Sequence, residues 1–306
     1  MKQSGAWCAA LHYGYPSTSS MAVDMYEFLS IPLYLLSVCG IVGLCIGSFL
    51  NVVVHRLPKI LEQRWEAEIA EMRGDTAISS SRISLSVPRS RCPHCGHQIS
   101  ALENIPLISY LFLRGKCSHC RAPIGLRYPL VECLTAALSV AVAWKFGMSW
   151  QTGGALLLVW ALVALAFIDL DTFLLPDDIT LPLLWLGLAF NISGVFVPLE
   201  DAVIGAMAGY LSLWSVFWLF KLITGKEGMG YGDFKLLAAI GAFLGWQALP
   251  AVILLSSVVG ATVGVSLMIF ARHGRETPIP FGPYLAAAGV LALFFGDVLK
   301  TIFLPS

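Results

Sequence analysis

Long apolar runs, each broken by a short polar or glycine- and proline-rich segment, recur along most of the chain. A helix needs about 20 consecutive apolar residues to cross the hydrocarbon core of a bilayer. Eight runs are candidates: 31–53, 128–146, 153–168, 179–197, 202–222, 234–245, 249–271 and 281–304. The third and sixth are short, and the sixth leaves a seven-helix count as the main competitor. The pattern predicts an all-α polytopic membrane helix bundle of about eight transmembrane helices, with one long polar excursion at 54–127.

Composition agrees with this reading. Of 306 residues, 57% are hydrophobic and only 12% are charged, where soluble chains carry about a quarter charged residues. The formal net charge is zero, so only its distribution informs. Eleven of the nineteen Lys and Arg, against six Asp and Glu, fall between Val52 and Arg127. Positive loops stay on the cytoplasmic side, which puts 54–127 there. Alternation then adds 169–178, 223–233 and 272–280 to that side and leaves both termini outside. Residues 1–30 lack the basic and apolar regions of a signal peptide and read as a disordered head, with Met1, Met21 or Met25 as possible starts. The expected organisation is therefore that head, a first transmembrane helix at 31–53, a cytoplasmic domain at 54–127, and a seven-helix membrane domain at 128–306. Within the cytoplasmic domain, 59–75 reads as a separate amphipathic helix, 76–90 as a flexible link, and 91–121 as a cysteine module.

Cys92-Pro-His-Cys95 and Cys117-Ser-His-Cys120 are two CxxC pairs with 21 residues between them. Each pair turns two sulfurs toward one point, and two pairs complete a tetrahedral thiolate site that suits structural zinc. Gly96 suits the tight turn after Cys95. Disulfides are the alternative, disfavoured where thiols stay reduced. His94, His97 and His119 are expected as exposed knuckle residues. Cys39, Cys45 and Cys133 lie in apolar runs as ordinary buried thiols, and Cys8 has no ligand spacing. A short excursion of this kind buries too little apolar surface to fold alone, so metal binding would supply the folding energy.

Acids at membrane depth are costly and usually functional. Asp169 and Asp171 end the third run, Pro176-Asp177-Asp178 follows, and Asp233 closes Gly230-Tyr231-Gly232-Asp233 at the entry of the sixth. The topology brings both clusters to one interface. Two carboxyls sharing a site divide into an acid and a base, which is aspartic-protease chemistry. The two glycines before Asp233 allow close backbone approach, including that of a substrate strand. Taken singly, each acid reads first as a helix-end group at the wet interface, and Asp177 and Asp178 as capping or solvated groups.

Several motifs occur in order: Gly47-Ser-Phe-Leu-Asn-Val-Val-Val-His-Arg-Leu-Pro58, the paired CxxC, Asn104-Ile-Pro106, Arg114-Gly-Lys-Cys117, the Asp169 segment, and Gly-Tyr-Gly-Asp233. This set resembles the bacterial prepilin peptidase (type IV leader peptidase) family, in its bifunctional form with the cysteine module. The resemblance implies a membrane aspartic endopeptidase of the bacterial inner membrane with its active site at the cytoplasmic face. Its catalytic pair matches Asp169 and Asp233; the seven-residue spacing to Pro176 selects Asp169 over Asp171. The implied substrates are type IV prepilins or type II secretion pseudopilins, cut after a Gly between a basic leader and an apolar helix. The basic leader would meet Asp171, Asp177 and Asp178. Methylation of the new N-terminus with S-adenosylmethionine is implied by resemblance alone. Candidate residues for it are Gly115, His55, Arg56, Glu103 and Glu132. Expected cofactors are structural zinc on Cys92, Cys95, Cys117 and Cys120, and S-adenosylmethionine; expected partners are the pilin-type substrates and membrane lipid, with no nucleic acid.

Two rivals come from other classes. An ion-coupled transporter would place acids deep in helices on facing repeats, and here they cluster at one interface without a visible inverted repeat. A non-enzymatic assembly factor would use the cysteine module for docking, and a proteolysis assay separates it from the peptidase.

Overall fold

A computed structural model describes residues 18–74, 83–100, 102–226, 228–270 and 279–303, with side chains from Leu33 onward. Among the described residues the protein is helical: α1 (Thr18–Arg73), a five-residue α2 (Ile108–Phe112), α3 (Arg127–Phe146), α4 (Trp150–Thr172), α5 (Asp177–Ile192), α6 (Leu199–Thr224), α7 (Tyr231–Leu244), α8 (Leu249–Phe270) and α9 (Gly282–Phe303). Six of these are long and apolar enough to cross a membrane. The other two long-run helices, α5 and α7, have 16 and 14 residues; α7 is buried inside the bundle, while α5 keeps Trp185 and Ile192 on its outer surface.

The expected division of α1 does not hold. The first span and the amphipathic segment are one helix of 56 residues, running through Pro58. Proline inside a helix removes a hydrogen bond and costs about 3 kcal/mol. Packing on both sides of Pro58 offsets this. Val53, Val54 and Leu57 are buried against Ile168, and Leu61 beyond the proline packs on the same cluster. The helix also covers 18–30, where a disordered head was expected. The stretch Met21-Ala-Val-Asp-Met-Tyr-Glu-Phe-Leu contains neither Gly nor Pro, so nothing in it breaks a helix. Residues 1–17, with Cys8, lie outside the described residues. So do 75–82 of the expected flexible link. Its described remainder folds against α1, with Arg56 donating to the carbonyls of Ser84 and Leu85 at 3.1 and 3.2 Å.

The core is centred on α7. Phe234, Leu236, Leu237, Ala239, Ile240 and Phe243 are all fully buried, so this helix is apolar on every face. Its neighbours come unusually close. A Cβ on Gly205 of α6 would collide with the carbonyl of Gly241, and the reverse is also true. Gly205 and Gly209 form a small-xxx-small stripe, the device by which membrane helices bring backbones together. On the other side Gly187 of α5 lies against Phe243. The consequence for function is positional: α7 is held from several sides, and its N-terminal turn, which carries Asp233, is set against the C-terminal end of α4 and the start of α9.

Candidate active site

Asp169 lies in the last turn of α4, which stops when Phe173 adopts a left-handed conformation at φ 56°. Asp233 lies in the first turn of α7, which begins after Gly230. Both carboxyls are withdrawn from solvent, at 5% and 6% exposure, and they are close enough to interact electrostatically. Asp169 Oδ2 accepts the backbone N–H of Gly282 at 2.9 Å. A Cβ at Gly282 would stand 2.7 Å from that oxygen, so the close approach requires glycine. Asp233 Oδ1 is buried with no hydrogen-bond partner among the described residues. Buried polar atoms are normally paired, and this one stands beside a second buried carboxyl.

Leu175, in the turn joining α4 to α5, holds the site together. A Cβ at Gly232 would meet the Leu175 Cβ at 2.6 Å, and a Cβ at Gly282 would meet its Cδ2 at 3.1 Å. The approach that Gly232 permits is thus an approach by Leu175 of the protein itself, where the sequence reading placed a substrate strand. Gly282 was missed in the sequence. Its signal was the Pro280-Phe-Gly-Pro283 run, which marks a tight chain entry just before an apolar span.

The neighbouring acids differ. Asp171 pairs with Arg127, which also donates to the Phe167 carbonyl at 3.1 Å and stacks over the Phe167 ring. Asp177 takes both oxygens to Lys235 Nζ at 2.6 and 2.7 Å. Asp178 pairs with Arg64. Each of the three acids expected beside a basic leader pairs with a base of the protein, because α1, α3 and α7 each bring one cation to the same end of the bundle.

The four module cysteines converge. Their sulfurs all lie within 4.8 Å of one another, with Cys92 to Cys120 at 3.8 Å and Cys95 to Cys117 at 4.0 Å. Four thiolates at zinc–sulfur distances of about 2.3 Å stand about 3.8 Å apart in a tetrahedron, so this group fits a metal ion and not a pair of disulfides. The two knuckles have matching hydrogen bonds: Cys92 N to His97 O and Cys117 N to Ala122 O, both 2.9 Å. Backbone amides of Cys95 and His94 lower the pKa of Cys92, and those of Cys120 and His119 lower that of Cys117, which favours the thiolate form that binds metal. The second knuckle uses Arg121 at φ 58° where the first uses Gly96 at φ 72°. His97 and His119 stack with ring centroids 5.5 Å apart. Glu103 braces the module: hydrogen bonds from the Ser118 side chain and the Ser100 amide hold its carboxyl down to about 2.

The candidate methyl-transfer residues each have contacts within the protein. A Cβ at Gly115 would meet Tyr110 Oη at 2.8 Å, so that glycine makes room for a side chain of the protein. Glu132 accepts the Leu107 N–H at 2.9 Å. Arg56 serves the link described above, and His55 contacts Lys59.

Comparison with known proteins bears directly on this site. Residues 41–146 match the bacterial peptidase A24 N-terminal domain, and residues 156–265 match the type IV leader peptidase family. The chain is 61% identical over 278 residues to a prepilin leader peptidase/N-methyltransferase of Aeromonas hydrophila, covering 90% of this chain and 96% of that one. It is 59% identical over 265 residues to the protein of the same name from Pseudomonas aeruginosa, covering 86% and 91%. The corresponding protein of Burkholderia pseudomallei is 51% identical over 287 residues, covering 92% and 93%. No solved structure matches the chain. The two matched segments hold the cysteine knuckles and the two buried aspartates respectively, and the chain belongs to the type IV leader peptidase family.

Proposed function

We propose that this protein is a membrane aspartic endopeptidase that removes the basic leader of type IV prepilins or type II secretion pseudopilins, with Asp169 and Asp233 as its catalytic pair. The observation that carries this reading is the pairing of two buried carboxyls, one oriented by a single backbone N–H and the other with an unpartnered oxygen. One proton shared across such a pair leaves one carboxylate to take a proton from water and one carboxylic acid to protonate the scissile carbonyl. The Gly282 N–H fixes the plane of the Asp169 carboxylate, and Leu175 keeps bulk water from the pair.

The dyad works at the cytoplasmic face of the bacterial inner membrane. The positive residues of the 54–127 segment support this side, and the Arg127–Asp171 pair joins that segment to the dyad end of α4. The substrate's apolar helix stays in the bilayer beside the bundle. Cys92, Cys95, Cys117 and Cys120 hold a structural zinc ion, which stiffens the module and leaves no open coordination position. Methylation of the new N-terminus, the second activity in the names of the relatives, belongs to the same protein and takes its methyl group from S-adenosylmethionine. Purified protein in detergent, given a prepilin, cleaves it. Wild-type protein that leaves the leader intact, or an Asp169→Asn or Asp233→Asn variant that cleaves fully, overturns the reading.

A further inference from the structure

We propose that residues 102–113, the arm between the two knuckles, lie in the membrane itself, with Leu102, Ile108, Leu111 and Phe112 in contact with lipid at the end of the bundle that carries the dyad. The arm is the most apolar part of the polar excursion, yet these four side chains cover nothing in the protein. Leu102, Leu111 and Phe112 are 76%, 72% and 84% exposed, and Ile108 is 51% exposed. A contiguous patch of this kind has a partner.

The depth of the arm identifies that partner. Arg127 at the start of α3 pairs with Asp171, and Asn51 of α1 bonds the Tyr128 carbonyl at 3.0 Å. These contacts mark the polar boundary of the bundle. The arm does not stay outside it. The N–H of Leu107 reaches Glu132 Oε2, on a residue one turn further along α3 than Tyr128. Leu107 holds φ 54° there, a conformation that a leucine keeps only when its surroundings impose it. Its side chain closes one end of an apolar groove of about 550 Å³ between α1 and α3, lined by Leu36, Gly40, Leu44, Ala136 and Val140. The exposed face of the arm therefore continues the outer surface of two spanning helices.

The sequence around the arm suits an interfacial segment. Arg114 and Lys116 follow the apolar residues and are exposed, placed to reach lipid phosphates while the arm lies below them. Leu126, Leu130 and Tyr128 at the start of α3 are also exposed, at 74%, 53% and 48%, and extend the same apolar rim. The module then lies flat on the leaflet, not standing away from it, and Glu132 is the buried carboxyl that pins it down. This inference rests on the bundle crossing a membrane and is independent of the peptidase reading.

The test uses the full-length protein in nanodiscs of zwitterionic and anionic phospholipid. A trifluoromethyl-phenylalanine is introduced at position 112, and separately at Glu68, an exposed residue of α1 outside the patch. Fluorine relaxation is measured with dissolved oxygen, which concentrates in lipid, and with a water-soluble nickel chelate. The expected result is a ratio of oxygen to nickel effect several-fold higher at 112 than at 68. Equal ratios, or a higher nickel effect at 112, overturn the proposal, whatever the cleavage activity of the labelled proteins.

Discussion

Asp169 and Asp171 stand two residues apart on one helix, and their surroundings are opposite. Asp171 is partly exposed and answered by Arg127. Asp177 and Asp178, a few residues on, are answered by Lys235 and Arg64. Asp169 and Asp233 are buried and meet no cation among the described residues; the Gly282 N–H donates to Asp169, and Asp233 Oδ1 has no partner among them. The paired acids tie helix ends together, and exposed pairs of this kind contribute little each. The unpaired acids are the costly ones. The fold thus pairs three acids at one end of the bundle and leaves two neighbouring ones without a cation, the division expected if only the latter two carry the chemistry.

The strongest test of that contrast compares substitutions. Asp169→Asn and Asp233→Asn are expected to lower the initial rate of prepilin cleavage by about 10³-fold or more, the scale of lost acid–base catalysis. Asp171→Asn, at equal protein level, is expected to lose only a few-fold. Equal losses at 169 and 171 would remove the distinction. A second comparison uses glycines. Gly282→Ala places a Cβ 2.7 Å from Asp169 Oδ2, whereas a Cβ at Gly230 stands 3.8 Å from Asp233 Oδ2. Misplacement of a catalytic group by about 1 Å costs on the order of 10²-fold, so Gly282→Ala is expected to fall that far and Gly230→Ala to stay near wild type in the same assay.

The module provides a third contrast, between support and chemistry. Metal analysis of purified protein should find about one zinc per chain, falling to none in Cys92→Ser; cleavage should decline in that variant far less than in Asp233→Asn. A Cys92→Ser variant that keeps its zinc would mean the four sulfurs do not act as one site. The smallest effect belongs to the outer pairs. A double-mutant cycle on Lys235→Gln and Asp177→Asn, read by detergent unfolding, should give a coupling of about 0.2–1 kcal/mol. A coupling several times larger would make that pair part of the site.

The helices were legible because periodic apolar runs of bilayer length are a strong signal. Even the short sixth run was visible, and its shortness is explained by burial on all faces of α7. What the sequence hid was contact between distant segments. The run at 31–53 and the segment at 59–75 read as two helices because nothing local announces that Leu57 packs on Ile168. The partners of Asp171, Asp177 and Asp178 come from three other helices, so the acids read as free. Gly115 and Gly232 read as openings for a ligand, and both are filled by side chains of the protein, Tyr110 and Leu175. The left-handed turn at Arg121 had no glycine to signal it, and only the repeat of the first knuckle's hydrogen bonds imposes it.

The close packing of α6 on α7 also bears on how this protein is made. At 14 residues α7 is about 21 Å long, short of the span that an insertion machinery recognises as a segment in its own right. It carries Asp233 and Lys235 in its first turns, and its buried faces leave it little surface for lipid. Such a helix gains nothing from entering the bilayer alone. The glycine stripe of α6 at 205 and 209 accepts its backbone, so α7 is expected to enter as the second arm of a hairpin with α6. Asp233 would then be carried in by the partner helix, and substitutions in that stripe are expected to act first on biogenesis, as protein that is degraded before it can be assayed.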